Sequence, residues 1–261
     1  MKAFRGYIFD LDGTIYLGQH AIEGAVQTVN ALLGMNKKIL FLTNKTIESR
    51  DSCVRKLNKL GIPVTLEHIL SPAVVTTRML QERYHDKKVY VVGEEVFKKE
   101  LRDSGVRFAD SPEETDVIVL SWDRQFHYDM LNFAYQAIKK NGAIVIATNP
   151  DRTCPLPEGE VPDCGSIIGA IEGATGGKVQ TITGKPSCHM AAAALQALGL
   201  EAEECIMVGD RLETDIRMGQ IANIHTALVL TGVARREDIS SSGFQPEYVL
   251  QSVRDLVAAA D

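Results

Sequence analysis

The sequence predicts an α/β protein with a doubly wound parallel sheet and a second α/β block inserted into it. Short apolar runs typical of buried strands alternate with stretches of helical periodicity along most of the chain. Acidic or amide side chains directly follow several of these runs. The alternation begins afresh twice, so we expect one block at 1–80 and 182–261 and a smaller inserted block at 81–181.

The composition excludes several classes of protein. The chain has 261 residues, of which 45% are hydrophobic and 24% charged, which is typical of a soluble globular protein. The formal charge is -6, with a pI near 5.6, and the basic residues are scattered, so we expect no nucleic-acid partner. The apolar runs are far shorter than the ~20 residues that span a membrane. No signal-peptide pattern precedes the first strand, so we expect a cytoplasmic protein without a membrane partner.

The first element is the stretch Tyr7-Ile8-Phe9-Asp10-Leu11-Asp12-Gly13-Thr14. Apolar, β-favouring residues run into an acidic residue and an Asp-Gly pair, which predicts a buried strand that ends in a loop. Ligands of open α/β sheets bind beyond the carboxyl ends of the strands. Two aspartates two residues apart can share Mg²⁺, which prefers oxygen ligands. An ordinary turn would also fit this stretch, because Asp-Gly is a common turn pair.

The following elements alternate as parallel strands with right-handed helical crossovers should. In the first block we predict helices at 23–33, 49–60 and from 72, with strands at 38–42 and 69–71. In the inserted block we predict strands at 89–92, 117–120 and 143–147, helices at 94–103, 129–139 and 167–174, and a long loop at 149–159. The remainder should form helices at 189–198, around Asp215 and at 253–260, with strands at 206–208 and 226–230.

Polar side chains follow the predicted strands of the first block. Asp10 and Asp12 follow the first strand, Thr43 and Asn44 the second, and Asp210 the strand at 206–208. The carboxyl ends of parallel strands meet at one edge of a sheet, so these groups should converge although they are far apart in the chain. An isolated turn at Asp10 does not explain this pattern.

Four separated motifs resemble, in order and spacing, those of the haloacid dehalogenase-like (HAD) superfamily of phosphohydrolases: Asp10-x-Asp12-Gly13-Thr14, Thr43-Asn44, Lys185-Pro186, and Gly209-Asp210 with Asp215. The position of the insert, together with 147–151 and 183–186, is similar to the NagD and nitrophenylphosphatase branch. The resemblance covers essentially the whole chain. It implies a Rossmann-like HAD core at 1–80 and 182–261 and a large α/β cap domain at 81–181.

The resemblance implies the following chemistry. Asp10 would attack phosphorus to form an aspartyl-phosphate, and Asp12 would serve as general acid and base. Mg²⁺ would be held by the carboxylates of Asp10 and Asp210 and by the backbone carbonyl of Asp12. Asp215 would orient waters or Lys185. Thr14 would either fix the loop or contact the reacting groups.

Binding of the phosphate is assigned to three residues by the same resemblance. Thr43 and the backbone amide of Asn44 would hold the phosphoryl oxygens, and Lys185 would add a fixed positive charge. A Walker loop is not supported, because Pro186 stands where serine or threonine is needed.

Candidate substrate contacts lie in the inserted block. Asn149, Asp151 and Arg152 would read the substrate beyond its phosphate or, alternatively, structure their own loop. Lys45 stands where many relatives have asparagine. Together with Arg50 it would either favour an acidic or multiply phosphorylated substrate or be solvated, and we expect it to be solvated.

The implied function is that of a Mg²⁺-dependent phosphomonoesterase acting on a small phosphorylated metabolite, such as a sugar phosphate, pyridoxal phosphate or an aryl phosphate. Two alternatives remain at this point. One is another chemistry of the same superfamily, such as phosphomutase-type transfer or phosphonate cleavage, and the other is a catalytically silent binding or regulatory protein. The oligomeric state stays open, a homodimer included.

Overall fold

The structure is a computed structural model that describes residues 3–156 and 159–258. Its strands, numbered in chain order, are β1 Gly6–Asp10, β2 Tyr16–Leu17, β3 His20–Ala21, β4 Lys38–Leu42, β5 Ile69–Leu70, β6 Val89–Val92, β7 Val117–Leu120, β8 Ile144–Ala147, β9 Thr153–Leu156, β10 Gly159–Pro162, β11 Thr181–Ile182, β12 Cys205–Gly209, β13 His225–Val229 and β14 Tyr248–Leu250. Its α-helices are α1 Ala25–Gly34, α2 Arg50–Lys59, α3 Pro72–Arg83, α4 Glu95–Asp103, α5 Tyr128–Asn141, α6 Cys164–Thr175, α7 Cys188–Leu198, α8 Arg217–Ile221, α9 Asp238–Ser242 and α10 Asp255–Ala258.

The predicted loop at 149–159 is wrong in its second half. Strands β9 and β10 pair there as an antiparallel hairpin, with Cys154 opposite Val161. Each of these strands contains a proline, which is tolerated because the two strands pair with no third strand among the described residues. Residues 157 and 158 lie outside the described part of the chain, as do residues 259–260 of the predicted last helix.

The chain divides into two compact units. The first contains Met1–Thr43, Arg50–Leu70 and Lys185–Asp261, and the second contains Asn44–Ser49 and Ser71–Gly184. The second unit therefore begins earlier than the predicted boundary at residue 81. Helix α3 belongs to it because Ala73, Met79 and Leu80 pack in one apolar cluster with Val91 of β6 and Phe97 of α4.

The first unit is built on a six-stranded parallel sheet with the order β14-β13-β12-β1-β4-β5. Strand β1 lies inside the sheet, where Phe9 is opposite Val208 of β12 and Asp10 is opposite Leu42 of β4. All five residues of β1 are buried. Together with the parallel sheet of the second unit, this arrangement confirms the predicted α/β class.

An aromatic row fixes β1 against its neighbours. The rings of Tyr7 and Phe9 lie 6.1 Å apart, and those of Phe9 and Phe41 lie 5.9 Å apart. All three belong to one apolar cluster of the first unit, which also includes residues of α1 and α2. Residues two apart on a strand share a face, so Tyr7 and Phe9 hold one face of β1 against the cluster. Asp10 directly follows Phe9 and is the last residue of this rigid, buried strand.

The second unit has its own four-stranded parallel sheet, with the order β11-β8-β7-β6. Apolar residues of its strands belong to two clusters, one shared with α5 and α6 and the other with α3 and α4. Helices on both faces are expected for a parallel sheet, because both faces must be covered. Across residues 3–156 and 159–258, no helix has the length and apolar character needed to cross a membrane.

Replacing Phe9 by alanine tests how far the first unit depends on the aromatic row. Phe9→Ala should lower the free energy of unfolding by about 3–5 kcal/mol, since it removes a fully buried ring between two others. Guanidinium unfolding measures this loss. Val96→Ala, at a position 36% exposed, should cost less than about 0.5 kcal/mol. Equal losses at the two positions would contradict this view of the core.

Candidate active site

Lys185 lies between two carboxylates of the first unit. Its Nζ donates to Oδ1 of Asp10 and, over 2.7 Å, to Oδ1 of Asp215. The side chains of Lys185 and Asp215 are 3% and 0% exposed. Buried charges that lack water must be held by their partners, so these contacts fix the position of all three groups.

Neighbouring strands bring these groups together. Asp10 is the last residue of β1, Thr43 follows β4, and Asp210 follows β12. Since β12, β1 and β4 are adjacent and parallel, the three residues lie along one edge of the sheet. Asp12 follows two residues after β1. The structure thus brings Asp10, Lys185, Asp210 and Asp215 into one buried cluster.

Asp215 is held by a wide helical turn, Leu212–Ile216, that precedes α8. Its Oδ2 accepts a hydrogen bond from the backbone N–H of Arg211 over 3.1 Å. Gly209 lies against its carboxyl group, because a Cβ at this position would be 2.3 Å from the carboxyl carbon. Any larger residue at position 209 would therefore displace Asp215.

Asp210 is held by the segment Thr231–Ala234, which follows β13. Its Oδ2 accepts from the backbone N–H of Val233 over 2.7 Å, and its backbone carbonyl accepts from Ala234 over 3.0 Å. A Cβ on Gly232 would lie 1.9 Å from the same Oδ2. The Thr231 hydroxyl donates to the carbonyl of Gly13 over 2.6 Å. This segment was not among the predicted site residues, although the polar residue Thr231 follows the predicted strand at 226–230 as Thr43 follows the strand at 38–42.

The other oxygen of Asp210 faces the neighbouring carboxylates without a hydrogen bond of its own among the described residues. This oxygen, Oδ1, is buried. Carboxylate oxygens of Asp10, Asp210 and Asp215 lie within 4.8 Å of one another, with Lys185 as the ammonium group in contact with Asp10 and Asp215. Buried polar atoms are rarely left unpaired, and clustered carboxylate oxygens are the preferred ligands of hard divalent cations. The residues therefore fit such a cation.

The acidity of these groups follows from the same crowding. Burial raises the pKa of Asp10 well above its usual value, an effect that Lys185 opposes and Asp215 and Asp210 reinforce. Burial, with Asp215 as the next cause, raises the pKa of Asp210 to about 7. Burial alone would lower the pKa of Lys185, but Asp10 and Asp215 outweigh it and raise that pKa. Burial and crowding therefore favour the protonated forms of Asp10 and Asp210 over their charged forms.

The other predicted residues of the first unit have different environments. Asp12 is half-buried, and its side chain is not part of the cluster formed by the other three carboxylates. Its predicted ligand atom is the backbone carbonyl, which stays a prediction. Thr43 is buried at the end of β4. Thr14 is buried as well, and its hydroxyl has no hydrogen-bond partner in the described ranges, so this hydroxyl does not fix the loop.

The remaining predicted residues lie in the second unit. Asp151 accepts hydrogen bonds at Oδ2 from the side-chain amides of Asn44 and Asn149, over 2.9 and 3.0 Å. Asn149 is fully buried and also donates to Asp163 over 3.2 Å. These contacts favour the loop-structuring alternative for Asn149 and Asp151. Arg152 is exposed. Contact of these three residues with substrate stays a prediction.

Comparison with known proteins adds independent information. The haloacid dehalogenase-like hydrolase family matches residues 7–107, and the HAD-hydrolase-like family matches residues 182–256. The sugar-phosphatase AraL of Bacillus subtilis is 41% identical over 256 residues, which cover 98% of this chain and 93% of the relative. The chain belongs to the haloacid dehalogenase-like hydrolases.

Solved structures of similar proteins align with nearly the whole length of this hydrolase. The p-nitrophenyl phosphatase from Archaeoglobus fulgidus has a TM-score of 0.92 at 34% identity and covers 99% of this chain and 100% of its own. NagD from E. coli K-12 has a TM-score of 0.87 at 31% identity, and the alignment covers 97% of this chain and 98% of NagD. The predicted family, its NagD and nitrophenylphosphatase branch and the fold class are confirmed. The hydrolase is an enzyme of the HAD phosphohydrolase type, as predicted.

A change at Gly232 tests whether the segment after β13 positions Asp210. Gly232→Ala should weaken Mg²⁺ binding by at least about tenfold, because a Cβ would push the carboxylate away from its present position. Calorimetric titration of the metal-free protein measures the affinity. Gly34→Ala is the matched control, since a Cβ there meets nothing within 4 Å. Unchanged affinity in Gly232→Ala would contradict the role of this segment.

The raised pKa of Asp210 predicts a pH-dependent affinity for Mg²⁺. The folded protein retains a proton on Asp210 up to about pH 7, whereas the unfolded chain loses it near pH 4. A cation must displace that proton, so Mg²⁺ affinity should be about tenfold weaker at pH 6 than at pH 8. Calorimetry at the two pH values measures the difference. Equal affinities at both would show that no proton is displaced.

Proposed function

We propose that this hydrolase removes the phosphoryl group from small-molecule phosphomonoesters, with Asp10 as the nucleophile and Mg²⁺ as the cofactor. The observation that supports this most strongly is the buried cluster of Asp10, Lys185, Asp210 and Asp215 at the carboxyl edge of the sheet. A buried carboxylate that contacts an ammonium group and lies within 4.8 Å of two further carboxylates is costly to maintain for stability alone. Functional sites are where such arrangements are commonly found.

Asp10 attacks phosphorus in this proposal. The bond from its carboxylate oxygen to phosphorus forms while the bond from phosphorus to the ester oxygen breaks, which leaves an aspartyl-phosphate and an alcohol. The strand β1 and the contact with Lys185 hold the carboxylate in one orientation. Water then attacks phosphorus and releases inorganic phosphate, which restores Asp10.

Asp12 moves the protons of both steps. It donates a proton to the departing alcohol oxygen and afterwards takes one from the attacking water. Its half-buried side chain, outside the ionic cluster, is compatible with access to water. Asp10 and Asp12 are two residues apart, so the nucleophile and the proton carrier are held by one short loop.

Charge is balanced by the remaining residues of the site. Lys185 lies against Asp10 and neutralises negative charge on the attacked phosphoryl group, while Thr43 and the Asn44 amide bind its oxygens. Mg²⁺ would be held by Asp10, Asp210 and the carbonyl of Asp12, where it supplies Lewis-acid stabilisation and reduces repulsion between the two anions. Asp215 positions Lys185 through its 2.7 Å hydrogen bond.

Sugar phosphates are the substrate class best supported by the relatives. AraL and the acid sugar phosphatase of Staphylococcus epidermidis, which is 33% identical over 258 residues, are sugar phosphatases. The structural relatives include nitrophenylphosphatases. We therefore propose sugar phosphates as the metabolites hydrolysed, with p-nitrophenyl phosphate as a convenient assay substrate.

Phosphate release by the wild type and an Asp10→Asn variant tests the nucleophile. With MgCl₂ the variant should lose at least about a thousandfold in kcat, since an amide cannot form the acyl phosphate. The wild type should lose its activity in EDTA and regain it with Mg²⁺. Acid-quenched wild type should carry one phosphoryl group on the peptide that contains Asp10.

Asp103→Asn controls for the substitution itself, because Asp103 is exposed and pairs with Lys99 on the surface. It should keep the activity of the wild type. Near-wild-type turnover by Asp10→Asn would refute the nucleophile assignment. Transfer of phosphate to a second hydroxyl of the sugar instead of to water would indicate a mutase.

A further inference from the structure

Two polar side chains that closely follow strands, Lys45 and Thr231, have no role in the proposed mechanism. Lys45 pairs with Glu48 over 3.1 Å, and only 16% of its side chain is exposed, so the expectation of a solvated lysine is wrong and its charge is already balanced. Thr231 instead contacts the loop that carries Asp12, and both belong to the first unit. Of the two side chains, Thr231 is therefore the one that can influence the proposed chemistry.

The loop that carries Asp12 is tightly folded. The backbone N–H groups of residues 14–16 all donate to the carbonyl of Leu11, over 2.9 to 3.3 Å. The N–H of Gly13 donates to the carbonyl of Tyr16 over 2.8 Å, and Gly13 has a positive φ of 87°, which glycine adopts without strain. Asp12 therefore lies between two residues whose backbone groups are already held, Leu11 and Gly13.

Thr231 holds this loop from outside. Its hydroxyl donates to the carbonyl of Gly13 over 2.6 Å, although the two residues are 218 positions apart in the sequence. The preceding residue, Leu230, donates its backbone N–H to the carbonyl of Leu250 in β14 over 3.1 Å. The branched side chain of threonine also restricts its rotation. A segment anchored to the sheet therefore sets the position of Gly13 and of the adjoining Asp12.

There is little space around this contact. A Cβ on Gly13 would lie 2.6 Å from Oδ2 of Asp210 and 3.1 Å from Cα of Gly232. The loop of Asp12 and the segment that contains Thr231 therefore pack directly against each other. Without the hydroxyl, the Gly13 carbonyl loses this partner and the loop is free to shift. A shift of about 1 Å can cost about a hundredfold in rate, because proton transfer requires hydrogen-bond contact.

We infer that Thr231 is a positioning residue for Asp12, the proton carrier of the proposed mechanism. It acts through the Gly13 carbonyl and so keeps the Asp12 carboxyl within reach of the departing oxygen. As the bond from phosphorus to that oxygen breaks, the oxygen takes the carboxyl proton of Asp12. The inference rests on the proposed function and adds a residue that none of the four sequence motifs contains.

Leaving groups of different basicity separate this role from a general structural one. Phenyl phosphate and p-nitrophenyl phosphate have nearly the same shape, but p-nitrophenol is by far the stronger acid. Phenolate therefore needs a proton in order to depart, whereas p-nitrophenolate departs without one. Release of the phenol, followed with enzyme in excess over substrate and with saturating MgCl₂, reports the first step only. A fault in folding, cation binding or phosphate binding would slow both substrates alike.

Thr231→Val should slow the release of phenol at least about tenfold and that of p-nitrophenol less than about threefold, because valine keeps the shape of threonine without its hydroxyl. Thr231→Ser restores the donor and should stay within about threefold of the wild type with both substrates. Asp12→Asn should show the same pattern with a larger loss, at least about a hundredfold for phenol. Thr65→Val removes an exposed hydroxyl of the same unit, one that contacts His68, and should change neither rate.

The possible outcomes separate the positioning role from the proposed function. Equal losses with both substrates in Thr231→Val, no loss with either, or a Thr231→Ser variant that is equally impaired would overturn the positioning role. Equal losses with both substrates in Asp12→Asn would instead refute Asp12 as the proton donor and the inference with it. No release from either substrate by the wild type would refute the proposed phosphatase. If valine prevents folding, Thr231→Ala against Thr231→Ser gives the same contrast with a smaller side chain.

Discussion

Three carboxylates and one ammonium group are buried together at the edge of the larger sheet, and this imbalance of charge governs the rest of the site. Lys185 contacts Asp10 and Asp215 but leaves Oδ1 of Asp210 without a hydrogen-bond partner among the described residues. Buried charge of this kind lowers the stability of the folded protein unless a ligand of opposite charge balances it. The raised pKa values of Asp10 and Asp210 have the same cause, namely burial beside other carboxylates. A divalent cation would offset this negative charge.

The surrounding structure keeps these charges close together. The aromatic row fixes β1, and Gly209 and Gly232 permit contacts with Asp215 and Asp210 that a Cβ would prevent. Strand ends, loops and close glycine contacts of the first unit therefore hold the three carboxylates together.

The sequence was sufficient for the parts that depend on local pattern. Buried strands are short apolar runs, and Asp10, Thr43 and Asp210 each follow one, so their convergence could be predicted from the geometry of parallel sheets. Helix α3 could not be assigned to the correct unit, because periodicity shows that a helix has an apolar face but not which sheet covers it. The hairpin β9–β10 could not be predicted, because the prolines and the glycine in its sequence usually indicate a loop.

Manganese binding followed by electron paramagnetic resonance tests the central claim most directly, because it detects the cation without requiring turnover. The metal-free wild type should remove one equivalent of Mn²⁺ from solution, with Mg²⁺ in competition, whereas Asp210→Asn should bind it at least tenfold more weakly. An absence of bound Mn²⁺, or equal binding by Asp210→Asn, would show that the buried carboxylates do not form a cation site.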